Sequence, residues 1–182
     1  MNFIDIFVFI ISFISNLPNY LNTVDNLDIP KYMGNWNQVY TNRITNMILD
    51  ENTSCVNTNF NLIDDDTKDD NFIMTFNYIY NNSHYSTNAL AYTPDDDFPG
   101  QLITNFYNKD FSLSYFILQN GPIINDEYQY SIVTDEMGIM LIVLVRNLSN
   151  FVLYQNEIDS VIEHYNFTDY YRQPLLVNHY NC

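Results

Sequence analysis

The chain has 182 residues, enough for one domain with a sizeable core, and its 13 Phe and 16 Tyr suit a folded protein rather than a disordered one. Six Lys and Arg against 22 Asp and Glu give a formal net charge of −16 at pH 7, which repels phosphate backbones and argues against a nucleic-acid partner. Gly is scarce, with four residues, and the abundant Asn is interleaved with Ile, Phe and Tyr instead of forming low-complexity runs.

Residues 6–14 form an apolar stretch with the length of a signal-peptide core, too short to span a bilayer. Residues 1–18 are therefore expected to be a signal peptide and the protein to be secreted. No Lys or Arg precedes the stretch, Asp5 sits there instead, and no small-x-small cleavage site follows. A short anchor lying on a membrane surface stays open as the alternative. Two cysteines, Cys55 and Cys182, fit one disulfide in an oxidising compartment. A bridge closing nearly the whole domain contributes ~5 kcal/mol on the chain-entropy account. Sequons at Asn52, Asn81, Asn147 and Asn166 agree with a secretory route and a glycoprotein.

Over residues 34–146 short β-rich runs alternate with polar or Pro/Gly punctuation, the pattern of a sandwich or barrel. In residues 56–62, Val56, Thr58, Phe60 and Leu62 share one face and three Asn the other, as in a half-buried strand. Residues 72–80 place Phe72, Met74, Phe76, Tyr78 and Tyr80 together, and the polar residues 64–70 read as the hairpin loop between the two runs. Runs at 84–92, 101–107, 113–119, 129–134 and 139–146, with the Trp36 region, complete eight strands, enough to close a barrel. The period then changes: Ile158, Val161, Ile162 and Tyr165 mark one apolar helix stripe, with Asn156 as its expected N-cap and Asn166 as its left-handed stop. The expected fold is all-β, an eight-stranded antiparallel up-and-down barrel with one C-terminal α-helix packed outside.

Several local motifs recur in a telling order. Residues 29–36 read Ile-Pro-Lys-Tyr-Met-Gly-Asn-Trp, in which Gly34 permits a tight turn into the first strand and Trp36 plugs one end of a barrel. Cys55 leads the strand that follows. Ala91-Tyr92-Thr93-Pro94-Asp95 runs on to Pro99-Gly100-Gln101-Leu102 and Phe106; the prolines terminate pairing and Gly100 frees the backbone to re-enter a strand. Asn125-Asp126-Glu127-Tyr128-Gln129-Tyr130 offers two side chains that cap a turn, and residues 140–146 end a strand on Arg146, on the same face as Ile142 and Leu144.

In this order and spacing the motifs resemble the lipocalin family, closest to its apolipoprotein D and bacterial lipocalin branch, across residues 30–182. The resemblance implies a lipocalin domain over residues 29–182 and a Cys55–Cys182 disulfide, where the residues alone leave two free thiols open. It marks Gly34, Trp36, Asp126, Tyr130 and Arg146 as structural motif residues and lays the Arg146 guanidinium over the Trp36 indole, a contact worth ~1–2 kcal/mol. Asn125 and Glu127 depart from the family's T-D-Y-x-x-Y, which weakens the case for a protein receptor at that end. Asn120-Gly121-Pro122 falls inside an expected strand, so the strand either bulges or turns there.

The same resemblance implies a carrier that encloses a small hydrophobic molecule. Alternation nominates Phe60, Phe76, Tyr78, Leu102, Phe106, Tyr115 and Ile142 as cavity lining, with Trp36 and Arg146 at its floor. A filled barrel whose acidic rim meets a protein partner is the alternative. No catalytic residue, cofactor or metal is expected: His84, His164 and His179 lack ligand spacing, and neither a nucleophile motif nor a phosphate-cradling loop is present. Membrane contact is expected only through the leader or a transient surface encounter.

Overall fold

Alternation of inward and outward side chains builds the strands, and their hydrogen-bond register closes them into a barrel. The computed structural model describes residues 21–49, 53–63, 71–94, 97–107, 112–180 and 182. The expected signal segment, the 64–70 loop and the Asn52 sequon lie outside them. After a short helix α1 (Ile29–Tyr32), the strands are β1 (Gly34–Thr41), β2 (Ser54–Leu62), β3 (Phe72–Tyr80), β4 (Ser83–Tyr92), β5 (Gln101–Phe106), β6 (Ser112–Asn120), β9 (Tyr130–Asp135) and β10 (Ile142–Val145). Each pairs antiparallel with its neighbour, and β10 returns to β1 with Asn37 opposite Val145, so the sheet closes on itself. The expected eight-stranded barrel is thus the observed fold, lipocalin-like in form.

The turn chemistry is local. Asn81 and Asn82 both take left-handed conformations, φ 49° and 60°, between the paired Tyr80 and Ser83, as a two-residue hairpin requires. Beyond β6, a second small hairpin forms from β7 (Ile123–Ile124) and β8 (Glu127–Tyr128) around Asn125 and Asp126, φ 52° and 67°. This answers the question posed by Asn120-Gly121-Pro122. The bulge lies earlier, between Ile117 and Gln119, and the turn lies later. Gly121 is required for space, since a Cβ there would stand 2.4 Å from the Tyr130 ring. Gly100 likewise serves close approach: its Cβ would meet Thr23 at 2.6 Å, where the N-terminal segment crosses the barrel.

Helix α2 (Arg43–Leu49) follows β1, and helix α3 (Phe151–His164) follows β10. α3 begins at Asn150, not at the expected Asn156, because the Asn147 side chain accepts the Ser149 amide at 2.9 Å and winds a 3-10 turn ahead of it. Asn156 is an exposed residue inside the helix. Asn166 does stop it, at φ 56°. Ile158 and Ile162 bury against the outer faces of Leu118, Tyr130, Ile132, Val143 and Val145, forming a second core outside the barrel wall. Among the described residues no helix is long and apolar enough to cross a membrane.

The tail returns to the barrel. Strand β11 (Leu175–Leu176) pairs with β1 at Tyr40 and Thr41, and Cys55 donates its amide to Asn178 O at 2.8 Å. Cys55 and Cys182 are joined in a disulfide, Cα to Cα 5.5 Å. The tail therefore wedges between β1 and β2, where Cys55 (φ 55°) breaks the register of β2.

Candidate ligand-binding site

One end of the barrel is closed by a layered cluster. Trp36 is fully buried and donates its indole N–H to Tyr32 O at 2.8 Å, which fixes α1 across that end. The Arg146 guanidinium lies 3.8 Å from the Trp36 ring centroid and donates to three carbonyls: Nε to Tyr128 at 3.0 Å, Nη1 to Asn35 at 3.0 Å and Nη2 to Lys31 at 2.9 Å. Gly34, at φ +94°, passes directly beneath; a Cβ there would stand 3.2 Å from Arg146 Nη1. Asp126 is exposed and pairs with Lys31 at 3.6 Å, so it ties the β7–β8 turn to α1. Tyr130 is buried outside the wall, its hydroxyl accepting from Gln119 Nε2 at 2.6 Å.

Above this floor lies an apolar cavity of about 50 Å³. Phe60, Phe76, Leu102, Phe106, Tyr115 and Ile142, all expected in the lining, share its wall. Trp36 packs in the core beneath, in ring contact with Tyr32 at 5.2 Å, and is not part of the wall. Tyr78 also stands outside it. Among the described residues, residues 83–87 of β4 have no partner beyond β3, so the β3–β4 hairpin runs on past the barrel, and Tyr78 stacks on its cross-strand neighbour Tyr85 with centroids 5.4 Å apart. There it borders an outer groove of about 500 Å³ beside the disulfide.

Sequence reasoning passed over Tyr32, Gln38, Thr58, Thr104 and Ala91, which also line the cavity. The signal for Thr104 was available in the run Leu102-x-Thr104-x-Phe106, where a hydroxyl occupies one inward position. Its Oγ1 is buried and has no hydrogen-bond partner among the described residues. Tyr32 and Tyr115 bring phenols. Burial pushes Tyr32 up to about 12, against the opposing pull of its 3.1 Å bond to Ser131 and of Arg146. Burial, helped by the Asp135 charge, raises Tyr115 as well, so both are neutral hydroxyls at ordinary pH.

At the other end, Gln38 and Phe76 border both the cavity and an open cleft of about 340 Å³. The cleft is walled by Asn46 of α2, Thr53 and Val56 near the start of β2, and residues 175–178 of the tail. Gln38 and Phe76 thus stand between the interior and the mouth. Among the described residues no group of three or more His, Cys, Asp or Glu could hold a metal ion. Compared with known protein families and with curated proteins, the sequence matches no family and no protein.

Proposed function

We propose that this chain is a secreted lipocalin of the apolipoprotein D and bacterial lipocalin kind, a carrier rather than an enzyme, that encloses a small hydrophobic molecule such as a fatty acid, sterol or other lipid. The observation that carries the reading is the apolar cavity inside a closed barrel, separated from an open cleft by Gln38 and Phe76, which border both. Enclosure by such a wall holds a ligand through desolvation, at about 25 cal/mol per Å² of apolar surface buried, and requires no reacting group. Secretion is supported by the Cys55–Cys182 bridge, and a glycan by the exposed sequon residues Asn81 and Asn166. The acidic charge argues against nucleic acid as a partner.

One observation favours a second reading. A cavity of about 50 Å³ is far below the roughly 300–1,000 Å³ of most ligand pockets. A barrel filled mainly by its own side chains, displaying an acidic surface to a protein partner, has the same interior. Isothermal titration of the folded protein with apolar ligands separates the two. Saturable one-to-one binding with a negative heat-capacity change supports the carrier. Heats of dilution alone, across ligands from the size of a short alkyl chain to a sterol, favour the filled barrel.

A further inference from the structure

We infer, on the carrier reading, that the cargo is an uncharged molecule whose hydroxyl or carbonyl group hydrogen-bonds Thr104 in the cavity wall. Thr104 is 1% exposed and stands between Leu102 and Phe106 on the inward face of β5, where valine would fill the same shape with no polar atom. A buried hydroxyl without a partner is destabilising, so at this position it is a cost to the empty barrel that an occupant removes. Rotation about χ1 exchanges the hydroxyl and methyl of threonine without moving the strand, which lets Oγ1 meet a group in the cavity. Tyr115, in the same wall, adds a second neutral hydroxyl.

The charges decide the class of head group. Lys31 and Arg146 are engaged at the closed end, Arg43 lies 4.0 Å from the Tyr170 ring, and Arg172 is paired with Asp169. None of these lines the cavity, and Lys68 and Lys109 lie outside the described residues. A carboxylate drawn inside would lose its hydration with no cation among the described residues to answer it. A net charge of −16 opposes its approach as well. A neutral head on a slender apolar chain meets neither obstacle, and Gln38 and Phe76 are the side chains that part the cavity from the cleft.

The test is a calorimetric titration of the folded protein at pH 7.5 with octan-1-ol, octanal, octanoate and octane. The alcohol and aldehyde are expected to bind at least about tenfold more tightly than octanoate. Thr104→Val is expected to weaken octanol about two- to tenfold while leaving octane unchanged, with a melting temperature no lower than the parent's. Thr104→Ser, which keeps the hydroxyl, is expected to restore the preference. Octanoate binding as tightly as octanol, or Thr104→Val binding octanol as the parent does, overturns the inference and leaves the carrier reading standing. Failure of every ligand in the series to bind overturns the inference, and the carrier reading falls with it only where ligands up to the size of a sterol fail as well.

Discussion

At the closed end of the barrel Arg146 answers three backbone carbonyls and covers the Trp36 ring, whereas at the mouth Gln38 and Phe76 border an open cleft whose wall includes a pinned tail. The contrast is one of chemistry as well as of packing. The closed end is held by short, oriented, charge-assisted bonds between elements that must meet in one geometry. The mouth is held by a tether: β11 adds only a two-residue ladder to β1, and the disulfide spans 127 residues of sequence. The closed end therefore depends on the bonds of one cation, and the mouth on a covalent tie between segments far apart in sequence.

Removing the keystone of the closed end is the most damaging change. Arg146→Ala leaves three carbonyls without their donor and uncovers the indole, an expected loss of about 3–4 kcal/mol. Thermal unfolding followed by circular dichroism should show a melting temperature lower by roughly 8–15 °C, and emission from Trp36 should shift to the red. Arg146→Lys should recover little, because an ammonium cannot present the same planar set of donors. An unchanged melting temperature with unchanged emission would remove the basis for treating Arg146 as the residue that holds this end.

Cutting the tether comes next in size. The double substitution Cys55→Ser/Cys182→Ser is expected to cost about 2–4 kcal/mol, because measured disulfide contributions fall short of the chain-entropy figure. Its local signature differs from that of the first variant. Hydrogen exchange should speed at Cys55 and Val177, whose amides donate to Asn178 O and Val39 O, while Trp36 emission stays as in the parent. A uniform rise in exchange that included the strands around Trp36 would mean that the tail stabilises the whole barrel and that the two ends are not independent.

The same contrast separates what the sequence made legible from what it did not. Period-two alternation located the strands to within a few residues, because each buries one face, and the Gly34, Trp36 and Arg146 motif located the closed end. Long-range consequences were harder to read. That Tyr78 leaves the cavity depends on where β5 ends relative to β4, which no local pattern encodes. Asn156 looked like a cap because of the apolar stripe after it, yet the helix nucleated earlier on the Asn147 side chain, with Val152 and Leu153 left exposed. Gly100 read as backbone freedom and proved to be room for Thr23, a residue 77 positions away in sequence. Thr104 was visible as a letter, but only the folded wall shows that its hydroxyl is left without a partner among the described residues.

The smallest expected effect is the one that acid produces. The loop after α3 braces the start of α2: Tyr171 O accepts from Arg43 N at 3.1 Å, and Arg172 is fully buried and paired with Asp169 at 2.5 Å. Burial pulls the Asp169 carboxyl upward, but hydrogen bonds from the Arg172 side chain and from the Arg172 and Tyr171 amides outweigh it and hold it below its usual value. A carboxylate lowered on folding contributes stability that is complete above its unfolded value, about 3.9, and is lost as pH falls through the folded one. The Tyr171 and Arg172 amide resonances should therefore stay constant from pH 7 to about 4.5 and titrate with a midpoint below about 3.9. Trp36 emission reports the closed end, where the groups that answer Arg146 are carbonyls, which do not take up a proton, but where the Asp28 carboxylate, held below its usual value by Lys31, caps α1. Parallel acid changes at Trp36 and at the Tyr171 amide would show that the brace and the closed end unfold as one unit; a change at the Tyr171 amide without one at Trp36 would show that the Asp169–Arg172 brace yields by itself.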